Sequence, residues 1–184
     1  DPDIILVGEI RDQDTAQMAL RAAMTGHQVF STLHTNSALG SISRLHDLGI
    51  IDDMFASNLI GIIAQRLVRK LCPLCKSGYT PDARECTLLG ISPGAEITLF
   101  HPAGCADCDH QGYKGRLAIM EILRFDRSLI ELVTRRAGLK ELTDYALTQQ
   151  FTPLVEDGVR RVCEGLTSLH EVRRVVDFSE RISE

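Results

Sequence analysis

A short, unbroken apolar segment near the start of the chain, Ile4–Val7, does most to limit the possible folds. It is rich in β-branched residues and is followed directly by Gly8 and Glu9. Successive apolar residues without alternation are typical of a parallel strand covered on both faces. Ligands bind where such strands end, at the carboxyl edge of an open α/β sheet. Glu9 is therefore the first candidate functional residue, although the acids after this strand also suit the solvated first turn of a helix.

The next segment predicts a helix followed by a second strand. Apolar residues from Ala16 to Met24 recur at helical spacing, with Asp12 or Asp14 as the N-cap and Gly26 as the stop. Val29–Leu33 is a second short apolar run. Strand, helix and strand in this order are typical of a right-handed parallel crossover, so the fold class is α/β.

Polar residues collect after the second strand, as they do after the first. His34 lies among Thr32, Thr35 and Asn36, and all four fall near Glu9 if the two strands are neighbours. Histidine is the side chain best suited to proton transfer near neutral pH, but a single histidine is more often a structural hydrogen-bonding group. His34 is therefore a second candidate, with a structural role as the alternative.

Two further helices are predicted before the first cysteine. One spans Ser37–Leu48, with Asn36 or Ser37 as the N-cap and Gly49 as the stop. A longer one spans 52–70, with apolar residues on one face. Arg66 lies on the longer helix, either as a contact to a phosphate or a neighbouring subunit or as a solvated, salt-bridged arginine.

Two Cys-x-x-Cys pairs, Cys72 with Cys75 and Cys105 with Cys108, predict a structural zinc site. Each pair presents both sulfurs to one metal, and four thiolates leave no open position for water. The alternatives are a disulfide framework, which needs an oxidising compartment, and a redox pair, which needs only one of the motifs. Cys86 and Cys163 lie outside the pattern and are expected to be small buried apolar groups.

The remainder predicts one strand and then short amphipathic helices. Gly112–Arg116 forms a turn into a strand over Leu117–Leu123, in which Glu121 either pairs with the amino-terminal part of the chain, 1–71, or is an ordinary surface charge. Ser168 and Glu171 have the spacing of a capping box. We expect a small helical bundle, with helices at 129–136, 139–149, 153–164 and 169–176.

These motifs resemble those of the ATPases that drive type II secretion and type IV pilus assembly. The first 12 residues resemble the Walker B segment of this family, 25–36 its histidine box, and 72–116 its tetracysteine insert. The resemblance implies that Glu9 is the catalytic carboxylate and that His34 senses the nucleotide. It favours a pilus-extension or secretion protein over a retraction protein, without separating secretion from pilus assembly.

The resemblance also implies an architecture. Residues 1–71 would be the C-terminal half of a RecA-like P-loop ATPase domain, 72–116 a zinc-binding subdomain, and 117–184 a strand and helical subdomain. The G-x-x-x-x-G-K-[ST] phosphate loop does not occur in the sequence. We therefore expect a fragment that is inactive alone.

The cofactors implied are ATP, Mg²⁺ and Zn²⁺. The partners implied are further copies of the protein in a hexamer and secretion or pilus platform proteins of a bacterial inner membrane. No apolar run is long enough to span a membrane, and the start lacks a signal segment, so a cytoplasmic protein peripheral to that membrane is expected.

A second hypothesis is a zinc-stabilised interaction module without catalytic activity. A nucleic-acid zinc ribbon fits the cysteines but not the formal net charge of −5.

Overall fold

The amino-terminal segment forms the predicted strand–helix–strand unit. In the computed structural model, which describes residues 2–50, 54, 58–92 and 94–182, β1 (Ile4–Val7) and β2 (Gln28–Ser31) lie side by side in parallel. α1 (Gln13–Met24) connects them. Because both strands run in the same direction, the residues that follow them emerge at the same edge.

The predicted caps explain where the first two helices begin. The Asp12 side chain accepts a hydrogen bond from the Thr15 N–H at 2.8 Å and caps α1. α2 (Ala38–Asp47) begins after Ser37, whose hydroxyl accepts from the Gly40 N–H at 3.0 Å. These bonds satisfy backbone donors that a helix leaves unpaired at its first turn.

The prediction of a helix over 52–70 is wrong for the greater part of its length. β3 (Gly61–Leu71) occupies this region and pairs with β6 (Tyr113–Arg124). Its side chains alternate between exposed and more buried positions up to Val68, as a strand requires. Residues 52–53 and 55–57 of the predicted helix lie outside the described residues. The segment pairs with a strand that is distant in sequence, and that tertiary pairing overrides the helical spacing of its apolar residues.

The region between β3 and β6 contains short elements. These are β4 (Ser77–Tyr79), α3 (Ala83–Leu89), β5 (Leu99–His101) and a 3₁₀ turn (Ala106–Cys108), with β4 and β5 antiparallel. β6 itself begins earlier than the predicted strand at 117–123, because it takes up all of the predicted turn except Gly112.

Helices follow β6 close to the predicted positions, but they belong to two units. The first unit comprises Asp1–Ala64 and Glu121–Phe151, and the second comprises Gln65–Met120 and Thr152–Glu184. The helices are α4 (Arg127–Thr134) and α5 (Leu139–Thr148) in the first unit, and α6 (Leu154–Cys163), α7 (Leu169–Arg173) and α8 (Ser179–Ile182) in the second. A single C-terminal bundle is therefore not confirmed. Among the described helices, none has the length and apolarity needed to cross a membrane.

A buried carboxylate fixes α7 in the second unit. The Glu171 side chain is 3% exposed; one oxygen accepts from the Arg69 guanidinium at 2.6 Å, and the other accepts from the Arg69 N–H at 3.1 Å. The Ser168 hydroxyl caps α7 by accepting from the Glu171 N–H, which is one half of the predicted capping box, whereas the Glu171 side chain bonds to Arg69. The Glu171 carboxylate thus connects α7 to β3 within the second unit. The hydrogen bond from the Arg69 side chain is the largest cause that lowers the pKa of Glu171, to about 2.

This lowered pKa predicts acid sensitivity. Glu171 should stabilise the fold above pH 4.5, its ordinary pKa, and lose that contribution as the pH falls toward about 2. The loss should be on the order of 3 kcal/mol, because each unit of pKa shift corresponds to about 1.4 kcal/mol. Urea unfolding of wild type and Glu171→Gln between pH 2 and 7 measures it. Glu171→Gln should be less stable than wild type at pH 7, and its free energy of unfolding should depend less on pH. Glu131→Gln, at an exposed position, should change neither property. Equal acid dependence in wild type and Glu171→Gln would refute the stabilising role of the Glu171 carboxylate.

Candidate functional site

The ends of β1 and β2 are joined by hydrogen bonds that continue beyond the strands. The Thr32 hydroxyl donates to the Gly8 carbonyl at 2.7 Å, and the Ile10 N–H donates to the Thr32 carbonyl at 2.9 Å. The backbone on both sides of Glu9 is therefore tied to the start of the segment that carries His34. Thr32 serves as the anchor between the two.

The structure brings Glu9 and His34 into direct contact. Oε1 of Glu9 lies 2.6 Å from Nε2 of His34, and Oε2 lies 2.6 Å from the Arg11 guanidinium. The histidine and arginine side chains are 83% and 77% exposed, whereas the glutamate side chain is 23% exposed. The hydrogen bond from Arg11 is the largest cause that lowers the pKa of Glu9.

The two oxygens of this carboxylate differ in their surroundings. Oε1 of Glu9 is shielded from solvent and has no hydrogen bond of regular geometry among the described residues, although His34 Nε2 is close by. Such an oxygen retains capacity to accept a proton or a hydrogen bond. A shielded carboxylate beside an exposed arginine and an exposed histidine can orient a water molecule and accept its proton.

The other polar groups predicted around this edge have different positions. His27 Nδ1 lies 3.1 Å from the Ala22 carbonyl and 3.0 Å from the Thr25 hydroxyl, a structural position at the end of α1. The Thr35 hydroxyl is hydrogen-bonded to the Ser41 hydroxyl at 2.7 Å, within the first turns of α2. Thr35 therefore links the segment after His34 to α2.

Arg66 lies on β3, in the second unit, rather than on a helix. Its side chain is half-buried, and one guanidinium nitrogen donates to the Gln65 carbonyl at 2.9 Å. This position tests neither of the roles considered for Arg66.

The four predicted cysteines form one cluster in the second unit. Their sulfur atoms all lie within 4.8 Å of one another. Sulfurs of Cys72 and Cys105 are 3.9 Å apart, and Cys108 lies 3.8 Å from both Cys75 and Cys105. A tetrahedral ion with metal–sulfur bonds of about 2.3 Å requires sulfur separations of about 3.8 Å. The cluster therefore has the dimensions of a tetrahedral metal site.

Backbone groups support these sulfurs. Cys108 Sγ accepts from the Cys105 N–H at 3.3 Å and from the Gly112 N–H at 3.2 Å. Burial raises the pKa of the Cys108 thiol, but these two hydrogen bonds, together with those to the Cys105 and Cys75 side chains, outweigh it and bring the pKa to about 7. Burial raises the pKa of Cys75 to about 11, although its sulfur accepts from the Gly104 N–H. A bound cation would favour the thiolate at each position.

Of the two cysteines outside the cluster, Cys86 is buried, as predicted, and Cys163 is half-buried.

Glu121 is buried in the first unit and is not an ordinary surface charge. Its side chain accepts a hydrogen bond from the N–H of Ala38, the first residue of α2. Glu121 therefore contacts the segment that follows His34. This agrees with the alternative in which Glu121 pairs with the amino-terminal part of the chain.

Sequence reasoning assigned no role to Arg11 and found no element over 83–103. Arg11 lies two residues after Glu9, a spacing at which extended residues share one face. Asp82 and Glu85 form the capping box of α3, a pattern that is recognisable in sequence.

Comparison with known proteins defines the class. The sequence model of the type II/IV secretion system protein family matches residues 1–174, so the chain belongs to this family. It is 47% identical over 175 residues to type II secretion system protein E of Pseudomonas aeruginosa, and 49% identical over 183 residues to the type IV pilus assembly ATPase TfpB of Acinetobacter baylyi. These alignments cover 95% and 97% of this chain but 35% and 31% of the relatives, so the chain spans about a third of their length.

The fold is also similar to solved ATPases. The crystal structure of the pilus retraction motor PilT with bound ADP superimposes with a TM-score of 0.64 at 28% identity, covering 98% of this chain and 41% of that one. The Legionella pneumophila ATPase DotB gives a TM-score of 0.61 at 22% identity, covering 95% and 38%, and shows the fold alone. The mixed α/β architecture of this ATPase class is thereby confirmed.

The packing around Gly112 predicts that the cysteine cluster tolerates no side chain there. A Cβ at Gly112 would overlap Pro102 Cβ and lie 2.9 Å from its Cα, whereas a Cβ at Gly115 would meet nothing within 4 Å. Both glycines have similar positive φ, +75° and +77°, so the same backbone strain applies to each. Gly112→Ala should cost about 1–3 kcal/mol more than Gly115→Ala in chemical unfolding, because overpacking displaces backbone. Equal losses would show that the contact with Pro102 does not matter.

Proposed function

We propose that this chain carries the catalytic carboxylate and the nucleotide-sensing histidine of an ATPase that drives type II protein secretion or type IV pilus assembly. The observation that carries the proposal is the 2.6 Å contact between Glu9 and His34 at the shared edge of β1 and β2. The carboxyl edge of parallel strands is where α/β proteins bind ligands. The names of the relatives supply the reaction class.

In this proposal Glu9 is the base that orients or deprotonates the attacking water. Its shielded Oε1 is the acceptor, and Arg11 holds Oε2 so that the carboxylate keeps one orientation. Catalysis of phosphoryl transfer depends chiefly on such positioning and on charge stabilisation. Mg²⁺ bound with ATP would neutralise charge on the phosphates.

His34 approaches the terminal phosphate of ATP. Its imidazole is highly exposed, so it can leave Glu9 for a phosphate without breaking packing contacts of its own. Exchange of one anionic partner for another would report whether the terminal phosphate is present. This is how we propose that His34 senses the nucleotide.

The phosphate-binding loop lies outside these 184 residues in this proposal, because the sequence contains none. The 184-residue chain alone should therefore hydrolyse ATP negligibly. Arg66 contacts a phosphate or a neighbouring subunit in a homo-oligomer, for which a hexameric ring is proposed. Closed rings place one subunit's side chains at the next subunit's site.

The cysteine cluster holds one structural Zn²⁺ in this proposal. Sulfur separations near 3.8 Å support it, and four thiolate ligands would fill the tetrahedral positions. We keep the predicted division into an ATPase part at 1–71, a zinc subdomain at 72–116 and a helical part at 117–184. The platform partners and the position at the inner face of a bacterial inner membrane are proposed from the family. The alternative, an interaction module without catalysis, is not favoured by relatives named as ATPases.

Replacement of the carboxylate tests the catalytic assignment. In the polypeptide that includes the phosphate-binding loop, Glu9→Gln should lower kcat by about 10²–10⁴ with little change in KM, because general-base catalysis contributes on this scale. Steady-state phosphate release measures it, with exposed Glu131→Gln as the matched control. Unchanged kcat in Glu9→Gln would remove Glu9 from the reaction, and robust turnover by the 184-residue chain alone, lost on Glu9→Gln, would refute the proposed inactivity of that chain.

Metal analysis tests the zinc site. Protein purified under reducing conditions should contain one zinc per chain, and Cys105→Ser should release it and unfold residues 72–116, since binding energy at such sites is largely folding energy. Cys163→Ser is the matched control, because Cys163 lies outside the cluster, and it should retain the metal. Absence of metal from the wild-type protein would contradict the proposal.

A further inference from the structure

Glu121 is a buried carboxylate on β6, and its burial requires an explanation. It is 4% exposed, and its neighbour two residues away on the same face of β6, Leu123, is 2% exposed. Removal of a carboxylate from water costs several kcal/mol unless hydrogen bonds and charges compensate. A side chain needed only to fill the core at this position would be apolar.

The start of α2 provides compensation. Glu121 accepts a hydrogen bond from the Ala38 N–H, which is one of the donors that a helix leaves unpaired. The amino-terminal end of a helix also carries a partial positive charge that attracts an anion. Glu121 therefore fixes the first residue of α2 to β6.

His34 lies between two anchored points of the backbone. On one side, Thr32 is bonded to Gly8 at 2.7 Å, and on the other side Ala38 is bonded to Glu121. Ser37 adds a local cap, but its partner Gly40 is in the same helix, so the cap cannot hold α2 to the sheet. The side chain of Glu121 comes from a strand 83 residues away in sequence.

We infer that Glu121 is a positioning residue that holds the segment from 33 to 37 so that His34 Nε2 meets Glu9. The inference rests on the proposed function for its significance in catalysis, but the geometry that it explains is present without nucleotide. If Glu121 releases Ala38, the start of α2 can shift, and the exposed His34 side chain has no packing of its own to retain its position.

A mutant cycle read by NMR tests this inference in the 184-residue chain without nucleotide. The change in the His34 ring ¹⁵N resonances on Glu9→Gln measures the contact between the two side chains. Glu121→Leu keeps the size and apolar packing but removes the acceptor, and it should reduce this change by roughly twofold or more. Glu121→Gln retains an acceptor for the Ala38 N–H and should preserve most of it.

Leu129→Ala serves as the stability control, since Leu129 is a buried residue of α4 in the same unit and its aliphatic side chain offers no hydrogen bond to the start of α2. It should leave the His34 response to Glu9→Gln in place. A full response in Glu121→Leu, or an equal loss in Leu129→Ala, would overturn the positioning role. If Glu121→Leu fails to fold, loss of the response in a folded Glu121→Gln would also overturn it, because an acceptor remains there. Failure of ATP hydrolysis in the longer polypeptide would refute the proposed function and leave this result unaffected.

Discussion

The parallel pairing of β1 with β2 is the constraint on which the candidate site depends. Because the two strands run in the same direction, Gly8 and Thr32 meet at one edge and join through the Thr32 hydroxyl. Glu9 and His34 follow these residues and therefore lie side by side, although they are 25 positions apart in sequence. An antiparallel arrangement would send the two side chains to opposite ends of the strands. The chemistry of the site thus follows from strand direction and register.

Two other carboxylates contribute to the structure through burial. Glu121 holds the start of α2 in the first unit, and Glu171 holds Arg69 of β3 in the second. Each lies almost out of contact with water, where charge-assisted hydrogen bonds are strong and where an unpaired group is costly. The cysteine cluster adds a third cross-link, since its two pairs of sulfurs come from separate parts of the chain. Carboxylate and cysteine side chains thus connect elements that are distant in the sequence.

Local patterns in the sequence predicted the elements that local interactions determine. β1, α1, β2 and α2 lie where apolar spacing and the caps Asp12 and Ser37 indicated, because a cap bonds within its own first turn. The cysteine cluster was predictable because two residues between cysteines suit a single metal. The strand β3 was not, since its apolar positions also fit a helix and only pairing with β6, some 50 residues later, decides between them.

The geometry of the candidate site could likewise be predicted only in part from the sequence. The contact between Glu9 and His34 followed from strand order, whereas the bond from Ala38 to Glu121 joins residues for which no spacing rule applies. Arg11 lies close enough to Glu9 in sequence to have been found.

The central claim is that the terminal phosphate of ATP binds beside Glu9 and His34. The most direct measurement is the distance from His34 Nε2 to that phosphate, by ³¹P–¹⁵N solid-state NMR on the polypeptide that includes the phosphate-binding loop, held with Mg²⁺ and a non-hydrolysable ATP analogue. The account predicts a separation within hydrogen-bond range, about 3 Å from nitrogen to phosphate oxygen, and the loss of the 2.6 Å contact between His34 and Glu9. A histidine that stays on Glu9 while the phosphate binds elsewhere would contradict it.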